Sequence, residues 1–252
     1  MAKKYKLTNE TINVNGHTLH RIKALRDFGN VKKGELGGFV ESEKNLSQDG
    51  LCWVVDEAKV YDDAKVHGNA RVWGNAKVCG NANVFGNARV WGNARVCGNA
   101  RVCGNAKVFG NAKVFGYAEV FGNADVSGYA EVSGYAEVDG YGIVFGNAKV
   151  CGHVKVSGHA GIGKFASITS PNDYIVIGPL GSRNAYTTVY RALNADNQPC
   201  SSELRIQCGC FNGTPDEFFA KVDERHVEGT LYHTQYTTII NSVINILNGK
   251  GN

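Results

Sequence analysis

A valine or isoleucine stands at every sixth position from Val54 to Ile168, which gives twenty positions without one interruption. Alanine precedes most of these residues by two positions, so each six-residue unit holds a short Ala-x-Val alternation. An amphipathic helix needs apolar residues three and four positions apart, and an ordinary strand continues its alternation at two. The period of six fits neither of them and predicts very short strands, each followed by a sharp corner.

Most of the corners contain Gly-Asn, as in the stretch GNARVWGNAKVCGNANVF that begins at Gly68. Glycine adopts left-handed backbone angles without steric cost, and asparagine tolerates them. Three strands and three corners close a triangular coil of 18 residues. Stacked coils lie about 4.8 Å apart, as neighbouring strands do. Residues 54–170 are therefore predicted to form a prism of roughly six to seven coils, about 30 Å long, with Ala and Val inside.

These GNA-basic-Val units resemble the hexapeptide-repeat family of left-handed parallel β-helices. The left hand is implied by this resemblance, because the general rule for crossover connections would give a right hand. The resemblance also implies a homo-oligomer, with a trimer of parallel prisms as the leading assembly. Many members of the family are acyltransferases, which bind an acyl-carrier cofactor between neighbouring prisms and use a histidine as general base.

Composition adds few constraints on function. The chain has 252 residues, 43% of them hydrophobic, and a net charge of +4, which by itself does not favour a long nucleic acid as partner. No apolar run is long enough to span a membrane, and the start of the chain lacks the apolar segment of a signal peptide. We therefore expect a cytoplasmic protein whose eight cysteines are free thiols, without a metal or a resident cofactor.

The outward positions carry what varies between units. Counted from Lys59, the residue before each valine is basic in nine of the first ten units and acidic in the next four. One face of the prism combines cations and aromatic rings, namely Arg71, Trp73, Arg89, Trp91, Lys107 and Phe109. Three interpretations of this aromatic-cationic ladder stay open: a platform for bases or nucleotides, an oligomer contact, or plain packing between neighbouring strands. Tyr117 and Tyr135, which are 18 residues apart, are predicted to stack.

Two different segments flank the prism. Residues 1–53 are predicted to form a hairpin, with its turn at Asn15-Gly16, and a cap over the end of the prism. Residues 171–252 are predicted to form a small α+β domain with strands at 174–178, 186–192 and 203–209 and a polar turn at 194–202. Its helices are predicted from Pro215 to about Arg225, after a capping box, and over 231–247. The apolar stripe of the second helix is predicted to comprise Ile239, Ile240, Val243, Ile244 and Leu247.

The C-terminal domain also holds the candidate binding site. Gly178, Pro179 and Gly181 shape a loop whose backbone N–H groups can point at an anion. Nearby side chains supply donors and charge for phosphate or ribose oxygens. The predicted ligand contacts are Ser182, Arg183, Asn184, Thr187, Thr188, Arg191 and Arg205. The loop lacks the lysine and the spacing of a P-loop, so this hypothesis rests on residue type, and a purely structural turn remains an alternative.

Other chemistry is less well supported by the sequence. Cys208 and Cys210, with Cys200 and His226, could supply four zinc ligands, but their spacing matches no pair of CxxC arms. A general base for acyl transfer would have to be His67, His153 or His159, and no loop interrupts the repeat to build a substrate pocket. Both observations favour a protein without catalytic residues.

The chain as a whole resembles a group of bacteriophage or prophage hexapeptide-repeat proteins. The stretches that carry this resemblance are RIKALRDFGNVKKGELGGFVESEKNLS, CWV, the repeat itself, IGPLGSRNAYTTVYR and CGCFNGTPDEF. Phages carry small proteins that capture nucleotide immune signals. The expected function is therefore non-catalytic capture of a small anionic, nucleotide-derived ligand in the host cytosol. An acyltransferase and a structural or assembly protein of the virion are the alternatives.

Overall fold

The computed structural model describes residues 3–193 and 199–249 and shows a left-handed parallel β-helix with a cap at each end. The N-terminal segment contributes β1 (Tyr5–Val14), β2 (His17–Ala24) and β3 (Leu36–Val40). The strands β4–β23 are each two residues long: Trp53–Val54, Lys59–Val60, Lys65–Val66, Arg71–Val72, Lys77–Val78, Asn83–Val84, Arg89–Val90, Arg95–Val96, Arg101–Val102, Lys107–Val108, Lys113–Val114, Glu119–Val120, Asp125–Val126, Glu131–Val132, Glu137–Val138, Ile143–Val144, Lys149–Val150, Lys155–Val156, Gly161–Ile162 and Ser167–Ile168.

These twenty strands form three parallel sheets along the faces of a triangular prism of about seven turns. Each strand pairs in register with the strand 18 residues away, so that Arg89 lies beside Arg71 and Lys107. The inward Ala and Val side chains have essentially no solvent exposure. Burial of one valine contributes about 1.5–3 kcal/mol, and this apolar column is the main source of the prism's stability. The predicted period, direction and interior are confirmed.

The corners depend on glycine for two reasons. Gly104, for example, has a φ of +66°, and a Cβ added to it would lie 3.0 Å from the backbone nitrogen of Gly122 in the next coil. The following Asn105 donates its backbone N–H to the carbonyl oxygen of Gly122 over 2.7 Å. Backbone therefore lies on backbone at this corner, which leaves no space for a side chain. Towards the two ends of the prism, Asp56, Asp62 and Lys164 occupy the equivalent left-handed positions.

The N-terminal segment caps one end, as predicted. β1 and β2 form an antiparallel hairpin around a two-residue turn, with φ of 54° at Asn15 and 92° at Gly16. β3 pairs in parallel with β5 and so adds the hairpin to one face of the prism. Trp53 is 1% exposed and packs edge-on against Tyr5 and Phe28.

Beneath this hairpin, one prediction about the cysteines is wrong. Cys79 and Cys97 form a disulfide between adjacent coils, with their Cα atoms 4.7 Å apart. Leu19 of the hairpin and Phe39 of β3 pack over Cys79. The 18-residue period places the two cysteines at neighbouring positions of one face, which is why they can pair where free thiols were expected. The described cysteines Cys52, Cys103, Cys151, Cys208 and Cys210 are free.

The hairpin is also held by an ionic contact at its tip. Both ring nitrogens of His17 meet carboxylates: Nδ1 lies 3.0 Å from Glu41 and Nε2 lies 3.1 Å from Asp62. Each carboxylate also accepts a backbone N–H. The N–H of Asp62 bonds the Glu41 carboxylate, and the N–H of Gly80 bonds the Asp62 carboxylate. The hydrogen bond to Glu41 raises the pKa of His17, the charge of Asp62 adds to this effect, and desolvation opposes it.

We expect this contact to make stability depend on pH. Because the folded pKa of His17 is raised, its contribution is fully present below the ordinary value of about 6.5 and is lost as the pH rises through the folded value. Urea unfolding between pH 5.5 and 9 should show a decline that His17→Gln abolishes. His20→Gln is the control, since the ring of His20 contacts the carbonyl oxygen of Thr8. An unchanged pH profile in the His17 variant would contradict the assignment.

The C-terminal domain begins after a short 3-10 helix (Pro171–Asp173). Its antiparallel sheet contains β24 (Tyr174–Leu180), β25 (Ala185–Leu193), β26 (Pro199–Cys208) and β27 (Phe211–Gly213), in that order. The helices α1 (Pro215–Arg225) and α2 (Leu231–Leu247) cover one face of the sheet. The predicted capping box is confirmed, since Thr214 and Glu217 each bind the other's backbone N–H.

Two details of this domain differ from the predictions. In α2, Ile240, Val243 and Leu247 are buried as predicted and Ile244 is partly buried, whereas Ile239 is 37% exposed and Tyr236 joins the buried stripe. The first part of the predicted turn at 194–202 lies outside the described residues, and its last four residues belong to β26. The side chain of Cys200 is also outside the described part of the chain.

The other face of the sheet closes the end of the prism. Tyr190 is fully buried and donates its hydroxyl hydrogen to the carbonyl oxygen of Gly163 over 3.0 Å. Thr188 Oγ1 accepts the backbone N–H of Gly161 over 2.9 Å. The domain is therefore both a cap for the last coil and the support for the two helices.

Candidate functional site

A cleft of about 470 Å³ opens on the helical side of the C-terminal sheet. It lies between the β24–β25 loop, the β26–β27 turn and the two helices. Its lining residues are Ser182, Arg183, Cys208, Cys210, Phe211, Phe218, Lys221, Val222, Arg225, His226 and Tyr236. The volume is in the range of small-molecule sites in proteins.

The β24–β25 loop is held against α2. Gly181 has a φ of +71°, and a Cβ at this position would lie 2.0 Å from the hydroxyl oxygen of Tyr236. The backbone N–H of Gly181 bonds Gln235 Oε1 over 3.3 Å. These contacts fix the loop so that Ser182 and Arg183 lie at the wall of the cleft.

Aromatic rings form the floor of the cleft. Phe218 is 4% exposed and makes edge-on contacts with Phe211 and Tyr236, with ring centroids 5.4 and 5.7 Å apart. Val222, one turn further along α1, extends the apolar surface. A floor of this kind suits a flat, apolar part of a ligand.

The rim of the cleft is cationic. Arg183 comes from the loop, Lys221 and Arg225 come from the exposed side of α1, and His226 is the C-cap residue of that helix. Lys221 forms an ion pair with Glu224, which does not line the cleft. Of the described residues that line the cleft, none is acidic. The rim therefore favours an anionic group beside the aromatic floor.

The Cys208 thiol at the cleft is not activated as a nucleophile. Burial raises the pKa of the Cys208 thiol, although a hydrogen bond to Thr187 and the charge of Arg183 oppose the shift. Cys208 is therefore a neutral thiol near pH 7, and the thiolate is the nucleophilic form. Arg183 donates an N–H to Cys210 Sγ over 3.7 Å. In the described part of the chain, Cys208, Cys210 and His226 do not come together as a metal-binding group.

The structure brings only part of the predicted binding set to this cleft. Ser182 and Arg183 line it, whereas Asn184 is exposed beside it, with a φ of +48°. Thr187 and Thr188 are buried in β25, where the sheet is covered on both faces.

The remaining two predicted contacts lie elsewhere in the domain. Arg191 contacts Asp173 over 3.6 Å and donates to the carbonyl oxygen of Leu247. Arg205 lies 3.4 Å from Glu203 and 5.7 Å from the ring centroid of Phe165. Both arginines are thus engaged in contacts that hold the domain together.

The sequence did give a signal for the cleft residues that were missed. Phe218, Lys221, Val222 and Arg225 are spaced three, four and seven positions apart in α1, so they lie on one side of the helix. The other half of the cleft comes from a loop more than thirty residues earlier, and no short motif joins the two.

The aromatic-cationic ladder of the prism has a different geometry from a binding platform. Trp73 and Trp91 stack with ring centroids 4.8 Å apart and planes 2° apart, and Phe109 stacks on Trp91 at 4.5 Å. Because the inner ring faces cover one another, the ladder presents mainly ring edges to solvent. This arrangement supports strand packing over a platform on which bases could stack. Tyr117 and Tyr135 stack as predicted, at 5.0 Å.

The three histidines considered for acyl transfer are members of similar stacks. His67 stacks on Phe85, His153 on Tyr135, and His159 lies between Tyr141 and Tyr186. None of them has a carboxylate partner among residues 3–193 and 199–249. A general base in a catalytic triad or dyad is usually oriented by such a group.

Comparison with known proteins adds no identification. The chain matches no protein-family model, and a search of curated proteins finds no significant match. Among the described residues, neither helix is both long and apolar enough to cross a membrane.

Proposed function

We propose that this chain is a non-catalytic, phage-type binding protein that captures a small anionic, nucleotide-derived ligand in the C-terminal cleft. The observation that supports this most directly is the combination of an aromatic floor with the cationic rim of Arg183, Lys221 and Arg225. A nucleobase would lie on the floor, and phosphate groups would meet the rim. In a host cell, such capture would sequester a nucleotide immune signal.

The prism has a separate role in this proposal. Its repeated coils form a rigid rod that would hold the C-terminal domains in a trimer, the assembly implied by the hexapeptide-repeat resemblance. A trimer of three parallel prisms would carry three cleft-bearing domains in one particle. Native mass spectrometry of protein purified from cells measures both the oligomer mass and any ligand that stays bound.

The site is tested by ligand recovery and by substitution. Protein purified from cells is denatured by heat, and the released compounds are identified by mass spectrometry. Cyclic dinucleotides, ADP-ribose derivatives and mononucleotides are then titrated by calorimetry. Arg183→Ala and Arg225→Ala are each expected to weaken binding about 10- to 100-fold, because a hydrogen bond to a charged group contributes about 1.5–3 kcal/mol.

Asn184→Gly is the matched control, since this residue shares the loop but does not line the cleft, and glycine keeps its left-handed backbone. Its binding should equal that of the native chain. If Arg183→Ala and Arg225→Ala both bind normally, or no compound of the panel binds, the proposed site is wrong. Turnover of an acyl donor that is lost in His67→Ala or His153→Ala would instead support the acyltransferase alternative.

A further inference from the structure

The two charged regions of the prism differ in how their charges are balanced. We call the acidic residues Glu119, Asp125, Glu131, Glu137 and Asp139 the acidic belt. Each of these carboxylates has a cationic partner in the same chain. The pairs are Arg101–Glu119, Lys107–Asp125, Lys113–Glu131, Lys155–Glu137 and Lys155–Asp139, with N–O distances of 2.7 to 3.3 Å. One such pair stands on each face at the level where the sign of the charge changes. Five carboxylates thus share four cations, since Lys155 pairs with two of them, and most of the negative charge is balanced within the chain.

The cations nearer the N-terminus lack such partners. Within residues 3–193 and 199–249, no carboxylate forms an ion pair with Lys65, Arg71, Lys77, Arg89 or Arg95. The strand register places Arg71 directly beside Arg89 and Lys77 directly beside Arg95. Like charges at neighbouring strand positions destabilise a sheet, so the chain retains an unfavourable arrangement here. Arrangements of this kind that persist in a structure often serve binding.

These cations border one edge of the prism. Arg71 and Arg89 form one column, beside the ring edges of Trp73 and Trp91. Lys77 and Arg95 form a second column on the next face. The corner between the two columns carries Asn75 and Asn93. Asn93 donates to Asn111 over 3.3 Å, so the corner amides also form a ladder. We call the four cations of these two columns the cationic edge.

We propose that the cationic edge binds the phosphate backbone of a nucleic acid. A second copy of the chain does not fit as well, because the carboxylates of the acidic belt are already paired within their own chain. The stacked tryptophan and phenylalanine rings offer few free faces, so base stacking contributes little and neither single strands nor particular sequences are favoured. The net charge of +4 does not by itself favour this partner, but these four cations are concentrated on one edge and form no ion pair with a carboxylate of the described residues. This proposal does not depend on the C-terminal cleft.

Fluorescence anisotropy with a labelled 20-base-pair DNA duplex, and with one of its single strands, tests the proposal. The native chain should bind both at 50 mM salt. With four phosphate contacts, the logarithm of the association constant for the duplex should fall with the logarithm of salt concentration with a slope of about −3.6. The double variant R89Q/R95Q should bind about 10- to 100-fold more weakly and show a slope of about −1.8.

The control is K44Q/K149Q, which removes the same charge from two exposed lysines outside the cationic edge. It should retain most of the affinity and the native slope, and Arg183→Ala should bind DNA like the native chain. Absence of binding at 50 mM salt, or equal affinity and slope in R89Q/R95Q, would overturn the proposal. If the native chain does not bind DNA and R89Q/R95Q lowers the mass of an oligomer, the edge is instead a contact between copies.

Discussion

Gly104→Ala is expected to lower the free energy of unfolding by about 2–4 kcal/mol. A left-handed backbone angle costs a non-glycine residue about 1–2 kcal/mol. The new methyl group would also lie 3.0 Å from the backbone nitrogen and oxygen of Gly122, and both atoms are fixed by the next coil. Urea unfolding followed by far-UV circular dichroism measures the loss, which is large for a change of one methyl group.

Asn105→Ala is the matched control for this substitution. Its amide donates to Asn123 over 3.0 Å and accepts from Asn87 over 3.2 Å, but the side chain is exposed. Loss of these hydrogen bonds should cost about 0.5–1.5 kcal/mol. Equal losses in the two variants would mean that the amide ladder, rather than the close approach of backbones, holds the corner.

The prism could be predicted from the sequence because its determinants are local and repeated. One valine in six fixes which side chains point inward, and the Gly-Asn corners fix where the chain turns. The hairpin at Asn15-Gly16 and the capping box at Thr214 are equally local signals. In each case, residues within a few positions of one another decide the conformation.

The cleft could be predicted only in part because distant segments form it. Residue type identified Ser182 and Arg183 correctly as lining residues. Thr187 and Thr188 were predicted to donate hydrogen bonds to a ligand. Because they are neighbours in a strand, their side chains point to opposite faces of the sheet, and one of them would be exposed only if one face were open to solvent. Here the helices cover one face and the prism covers the other. That arrangement follows from the docking of the domain on the last coil, which no local pattern encodes.

Stacking in the prism also limited what the sequence could tell. The outward rows were predicted correctly, but a row of aromatic residues does not reveal whether ring faces or ring edges meet the solvent. The structure shows parallel rings at the spacing of the coils, as for Trp73 and Trp91. The same 18-residue spacing allowed Cys79 and Cys97 to pair. Vertical neighbours therefore have to be considered before a repeated surface residue is assigned a function.

Tyr190→Ala is expected to lower the free energy of unfolding by about 3–5 kcal/mol, the usual range for deletion of a buried aromatic side chain. Tyr190 belongs to the apolar core of the prism although it comes from the C-terminal sheet, so its removal opens the junction between the two. We expect the last coil, near Ile162 and Ile168, to exchange amide hydrogens faster and the C-terminal domain to become sensitive to protease.

Tyr190→Phe separates the ring from the hydroxyl group. The hydroxyl donates to Gly163 and accepts an N–H from Asn212, so its loss removes two hydrogen bonds and should cost about 1–3 kcal/mol. Tyr186→Ala is the control on the same strand, because this ring is 39% exposed, and its loss should cost less than about 1 kcal/mol. If Tyr190→Ala unfolds like the native chain and the last coil exchanges no faster, the sheet does not cap the prism. The cleft would then stand on a domain that is free to move relative to the rod.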